Sequence, residues 1–202
     1  MQKAIVLSVN GVLCFEDYKG FSPPLLDLGN VICRPGIRPF FRKLLQVFHV
    51  GIWSCMPPSR LDLVLAHLLP VELRSQLLFV YGQDKCVTRK PYPFFQKLLQ
   101  RLTVGTKTRR FCRSGNVLMV DDCEWKNVMN GNHSCYFPTP WKGEMHLPNP
   151  RNVIPDVGTA LLPFIMDLVH YDSVTEFLQK TPMDGELCRR SLRQWYTSRV
   201  EQ

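Results

Sequence analysis

The stretch 4-AIVLSVNGVLC-14 decides how the rest of the chain is read. Ile5, Val6 and Leu7 are apolar and mostly β-branched, as a buried strand requires, and Gly11 marks a turn. The strand breaks off into Ser8 and Asn10, two small polar residues two positions apart, which therefore point to the same side of the chain. A strand end with two carboxylates could hold a metal and do chemistry. This one carries a hydroxyl and an amide.

Outward from that strand, apolar strands alternate with amphipathic helices. Phe15–Cys33 is a polar connection bearing Pro and Gly. "RPGIRPFFRKLLQVF" places Ile37, Phe40, Phe41, Leu44, Leu45 and Phe48 on one helical stripe. "HVGIWSC" follows as a strand, and "PPSRLDLVLAHLL" as a helix opened by Pro57 and Pro58. "LLFVY" is a strand, "YPFFQKLLQRL" a helix, "NVLMVDD" a strand and "SCYF" a last short strand. Asp156–Tyr171 and Ser173–Gln179 close as helices, with Ser173 the predicted N-cap of the second. This order implies an α/β fold with a mostly parallel sheet and right-handed crossovers. Such sheets bind ligands beyond the carboxyl ends of their strands. Ser8, Asn10, Ser54, Asp121 and Asp122 all fall at those ends, and Lys90 precedes a helix start. One rim collects the chemistry.

Composition narrows the class. The chain has 202 residues, 45% hydrophobic and 21% charged, and carries a net charge of +8. These values fit one soluble globular domain, placed at 1–181, followed by a basic tail at 182–202. Much of the positive excess lies in Lys107–Arg113 and Arg189–Arg199. A basic surface suits acidic partners, but a solvated face explains such runs as well, and specific nucleic-acid binding is not expected. Eight cysteines without a CxxC pair, and without a signal peptide, read as reduced intracellular thiols. Cys123, His133 and Cys135 match no structural zinc spacing. No apolar run reaches the ~20 residues of a membrane span; Ala160–Val169, broken by Pro163 and Asp167, reads as a core helix.

Five segments, in order, resemble the haloacid dehalogenase fold, and within it the RNA polymerase II C-terminal-domain phosphatases and NLI-interacting-factor proteins. "AIVLSVNGVL" is similar to the family's "LVLDLDETL" strand, and "RPGIRPFFRKLLQVFHVGIWSC" to its "RPG…FL…L…YEVVIWTS" segment. "FVYGQDKC…RKPYPFFQKL" resembles the stretch bearing its third motif. "NVLMVDDCEWKNVMN" resembles "TLIVDDSPxxxxxN", and "LLPFIMDL…DSVTEFL" its closing helices. The resemblance runs from Ala4 to about Lys180.

The resemblance implies roles. The family's nucleophilic aspartate falls on Ser8 and its acid–base aspartate on Asn10. Its phosphate-gripping Ser/Thr and Lys fall on Ser54 and Lys90, with Lys85 a second choice. The acidic pair that orders Mg²⁺ falls on Asp121 and Asp122. A serine hydroxyl is a poor nucleophile without a base, and an asparagine exchanges no proton, so general acid–base help is lost. Mg²⁺ also loses a carboxylate. The expectation is therefore a phosphatase homologue with disabled chemistry, a monomer that binds a phosphoprotein or protein partner, nuclear or cytoplasmic. Two alternatives stand beside it: a weak Mg²⁺-dependent protein serine/threonine phosphatase, and a relative of the mitochondrial presequence translocase receptor of the Tim-fifty type. Ser8 and Asn10 could also do no more than shape a strand turn, since Asn tolerates turn geometry.

Overall fold

The computed structural model describes residues 2–16, 28, 31–89, 92–131, 133–143, 157 and 161–181. Five strands form the central sheet: β1 (Ala4–Leu7), β4 (His49–Trp53), β5 (Val80–Tyr81), β8 (Val117–Val120) and β9 (Cys135–Tyr136). Their order is β5-β4-β1-β8-β9, and every neighbouring pair is parallel. This is the α/β architecture expected from the alternation of strands and helices. All four residues of β1 are buried, because helices and loops cover both faces of a parallel sheet.

Side-chain alternation splits the core in two. Ile5 and Leu7 join Val50, Ile52, Leu118 and Val120 on one face. There they pack on α1 (Ile37–Val47), α2 (Pro58–Leu68), α5 (Leu162–Asp167) and α6 (Val174–Lys180). Ala4 and Val6 join Trp53, Val117 and Met119 on the other, against Phe79, Leu99, Leu102 and Cys112. Of the smaller helices, α3 (Val71–Arg74) follows α2, and α4 (Gln100–Val104) contributes Leu102 to the second face. The Ser173 hydroxyl accepts a hydrogen bond from the Glu176 amide at 3.0 Å, the predicted N-cap. Among the described residues no helix is long and apolar enough to cross a membrane.

Two hairpins depart from the sequence reading. β2 (Cys14–Glu16) and β3 (Val31–Cys33) pair antiparallel at the two ends of the expected connection. The larger correction concerns "YPFFQKLLQRL", expected to be helical. Tyr92–Gln96 is instead strand β7, paired antiparallel with β6 (Val87–Arg89), and helix begins only at Gln100. Aromatic residues favour a pleated surface, and a proline is tolerated at an edge strand. The apolar stripe that suggested a helix was carried by residues belonging to two elements. The tail at 182–202 lies outside the described residues.

Candidate functional site

Register builds the site. Leu7 lies opposite both Ile52 and Val120, so β1 and β8 end at one level and β4 one residue beyond it. The next residues, Ser8, Trp53 and Asp121, emerge together. Hydrogen bonds fix that level beyond the ladder: the Ser8 amide donates to the Val120 carbonyl at 2.9 Å and the Ser54 amide to the Tyr81 carbonyl at 2.8 Å. The turn after β1 is pinned by Gly11, whose φ of +81° favours glycine. A Cβ there would also stand 2.1 Å from the Asp122 carboxylate, so the acidic loop closes directly on this backbone.

A lysine sits at the centre. The Lys97 ammonium donates to the Ser8 hydroxyl at 2.9 Å and to Asp121 Oδ2 at 2.6 Å, with both side chains of the ion pair almost wholly buried. Asn127 Nδ2 donates to the same oxygen at 2.7 Å, and the Cys123 amide to Asp121 Oδ1 at 3.1 Å. Burial opposes the charge of Asp121, but the Lys97 ammonium and these hydrogen bonds outweigh it and hold the carboxyl below its usual range. Asp122 gets less help, because the Lys126 and Lys97 ammonium groups do not outweigh its burial. Burial, reinforced by the negative charge of Asp121, pushes its carboxyl up to about 6, and its Oδ1 is buried without a hydrogen-bond partner.

Lys97 is held from both sides. Its amide donates to the Lys126 carbonyl at 2.8 Å, and its carbonyl accepts from Asn130 Nδ2 at 2.7 Å. Asn130 Oδ1 in turn accepts from the Leu99 amide at 2.9 Å. The acidic loop therefore carries the lysine that neutralises it.

A cleft of about 290 Å³ opens at this rim, lined by Ser8, Asn10, Ser54, Cys55, Met56, Pro57 and Lys126. Three of the residues singled out by sequence thus share one wall. Ser8 is buried against Lys97, while Ser54 Oγ accepts from the Met56 amide at 3.1 Å. Asn10 Oδ1 accepts from the Glu16 amide at 2.9 Å, so that side chain also shapes the turn. Lys90 lies outside the described residues. Lys85 points elsewhere, its half-exposed ammonium paired with Asp84 at 2.7 Å. Sequence reasoning missed Lys97, Lys126, Asn127 and Asn130. Asn130 closes the quoted "DDCEWKNVMN" pattern, which was the available signal for it.

Among the described residues metal donors at this rim are few. Asp121, Asp122 and Cys123 offer ligand atoms within 4.8 Å of one another. Both oxygens of Asp121 already accept hydrogen bonds, and burial pushes the Cys123 thiol up to about 12. A protonated thiol is no ligand for a hard cation.

The family model for NLI interacting factor-like phosphatases matches residues 3–154, three quarters of the chain. The chain belongs to that family. No curated protein matches the sequence. Among solved structures it is similar to the fission yeast RNA polymerase II CTD phosphatase Fcp1 bound to beryllium fluoride, a variant carrying R271A. There the TM-score is 0.50 at 14% identity, over 72% of this chain and 43% of that one. A second structure of Fcp1, described as an essential RNA polymerase II CTD phosphatase, gives 0.50 at 14%, over 84% and 48%. An uncharacterized protein from Listeria monocytogenes serotype 4b gives 0.52 at 14%, over 84% and 99%. At such identity these likenesses concern the fold alone, and the chain spans less than half of either Fcp1 chain.

Proposed function

We propose that this family member holds a phosphorylated segment of a partner protein at the rim cleft without hydrolysing it. One observation carries the reading: the Lys97 ammonium donates to Ser8 Oγ. The residue in the nucleophile's place meets a proton donor where it would need a base. Asn10, in the acid–base place, has its oxygen committed to the Glu16 amide. Lys126, Ser54 and Ser8 on the cleft wall supply a cation and hydroxyls for phosphoryl oxygens.

The donor set does not fit Mg²⁺ as the family would hold it. Asp121 is neutralised by Lys97, and Ser8 and Asn10 bring no charge. The single feature favouring the second reading, a weak Mg²⁺-dependent phosphatase, is the partnerless oxygen of Asp122.

The probe is a phosphoserine peptide of the polymerase tail, the substrate class in the description of Fcp1, beside its unphosphorylated form. Fluorescence anisotropy should show preference for the phosphorylated peptide, with no phosphate released with or without Mg²⁺. EDTA-sensitive phosphate release would move the protein to the second reading. Equal binding of both peptides would remove the phosphoprotein partner.

A further inference from the structure

Cys55 and Cys86 stand with their sulfurs 3.7 Å apart, beside the cleft and outside the constellation described above. Cys55 follows Ser54 at the exit of β4 and lines the cleft wall, so a small solute reaches it. Cys86 sits between the 3-10 turn Gln83–Lys85 and β6, its sulfur 3.9 Å from the carbonyls of Ser54 and Gly82. Both residues are partly exposed. A disulfide needs its sulfurs at about 2.0 Å, so they must approach by about 1.7 Å, within reach of side-chain rotation and small loop shifts.

We propose that Cys55 and Cys86 are an oxidisable dithiol, a modification site at which a hydroperoxide converts the two thiols into a disulfide tying the end of β4 to the start of β6. The site goes beyond the phosphate-binding reading and stands without it, since it requires no ligand in the cleft.

The two thiols are unlike in the way such chemistry needs. The hydrogen bond from Cys86 does most to bring the Cys55 thiol down to about 7; burial opposes this, and the ammonium groups of Lys97 and Lys126 assist it. Near neutral pH about half of Cys55 is thiolate, against a few per cent of an ordinary thiol. Cys86 is shifted the other way, first by its hydrogen bond to Cys55, then by burial and the Cys55 charge.

The steps balance. The Cys55 thiolate attacks one peroxide oxygen. The O–O bond breaks, and hydroxide departs with its bonding pair, leaving Cys55 as a sulfenic acid. That acid is neutral, so the charge that held the Cys86 proton is gone. Cys86 sulfur then attacks Cys55 sulfur, the S–O bond breaks, and the leaving hydroxide takes the Cys86 proton as water. Two thiols lose two electrons in total, and hydrogen peroxide is reduced to water.

The test uses the whole 202-residue chain, reduced, desalted and treated with hydrogen peroxide at pH 7. Eight thiols should fall to six, and non-reducing peptide mapping should find the loss as a Cys55–Cys86 link. Cys86→Ser should leave a sulfenic acid at Cys55 that dimedone traps. Cys55→Ser should slow thiol loss by about tenfold, the ratio of thiolate fractions. Cys14 and Cys33, cross-strand partners between β2 and β3, are the internal control, because Cys14 is fully buried. Oxidation that links Cys14 to Cys33 first, or that leaves Cys55 and Cys86 free to alkylate, overturns the proposal. A Cys55 sulfenic acid that persists in the unmutated chain overturns it too, since the resolving step is then missing. The mapping of the unmutated chain decides the matter even where a variant fails to fold.

Discussion

Among the described residues two buried ion pairs stand out, and they can be compared by what surrounds them. On the flank, Arg60 of α2 lays both Nε and Nη2 on one oxygen of Glu16, at the end of β2, with Nε at 2.8 Å. At the rim, Lys97 holds Asp121 at 2.6 Å. Both join segments distant in sequence, and both cost desolvation that the attraction must offset. The rim pair is accompanied by a serine hydroxyl on the same ammonium, a neighbouring carboxylate with a buried partnerless oxygen, and an open cleft. A buried charge pair is therefore a poor mark of function by itself. Surplus polar groups beside an opening are the better mark, since native folds leave few of them unsatisfied.

The strongest way to break this contrast is to restore chemistry at the rim. Ser8→Asp together with Asn10→Asp should give Mg²⁺-dependent hydrolysis of a phosphoserine peptide at least ~100-fold above either single variant. Residues of one catalytic unit act non-additively, and general acid–base help alone is worth about 10²–10⁴. Ser8→Asp alone should attack phosphorus yet stall as a phospho-aspartate, detectable by mass spectrometry, because Asn10 cannot activate water. If the double variant folds and remains inert under single-turnover assay, the rim pair is a clamp of the same kind as Arg60–Glu16.

Stability sharpens the contrast from the other side. Lys97→Met and Arg60→Met each take the paired cation from a buried carboxylate, and urea unfolding should show a loss of about 3–5 kcal/mol for either. Removing both charges separates the pairs. Lys97→Met with Asp121→Asn, and Arg60→Met with Glu16→Gln, should each recover most of that loss. Only the first should weaken phosphopeptide binding. Equal weakening by both would mean that the cleft responds to global stability.

These variants depend on residues that were not equally legible in the sequence. Ser8, Ser54, Asp121 and Asp122 could be found because each follows a short apolar strand, and strand ends sit at one level of a parallel sheet. Lys97 could not. Its segment carries apolar residues at spacings that satisfy a helix, and a lysine on such a helix reads as solvated. Once Tyr92–Gln96 pairs as a strand, the residue after it falls between the Lys126 carbonyl and Asn130 and turns its ammonium inward. The lysine was hidden by the assignment of its element, and Lys126 and Asn127 by lying at the end of a 3-10 turn without periodicity.

Asp122 should give a smaller effect with a distinctive pH profile. Its folded carboxyl titrates near 6 instead of 3.8, so the folded state binds the proton more tightly than the unfolded chain. The sign follows: this group favours folding below about pH 4, and the benefit fades as pH rises through 6. Above that it remains a penalty of about 1–3 kcal/mol. Asp122→Asn should raise the stability of the metal-free protein by that amount at pH 7 and by little at pH 4, measured by urea unfolding in EDTA. An equal gain at both pH values would place the cause in packing.

The smallest expected effect is that of Mg²⁺ on the unmutated chain. To gain a second carboxylate the ion would have to take Asp121 from Lys97 and Asn127, leaving a buried ammonium facing it at close range, and both changes are unfavourable. Asp122 alone gives one oxygen to a cation that holds its waters firmly. Binding no tighter than the millimolar concentration used stabilises the folded state by about 0.4 kcal/mol. In a chain of this size that moves the melting temperature by roughly 1 °C. Differential scanning fluorimetry should therefore show almost no response to millimolar Mg²⁺, and a clear rise in the Ser8→Asp, Asn10→Asp variant, whose crowded acids the ion would relieve. A large shift in the unmutated protein, abolished by Asp122→Ala, would show that the partnerless oxygen is a working metal ligand. The rim pair would then be a gate that yields to the ion, and the likeness between the two buried pairs would end at their burial.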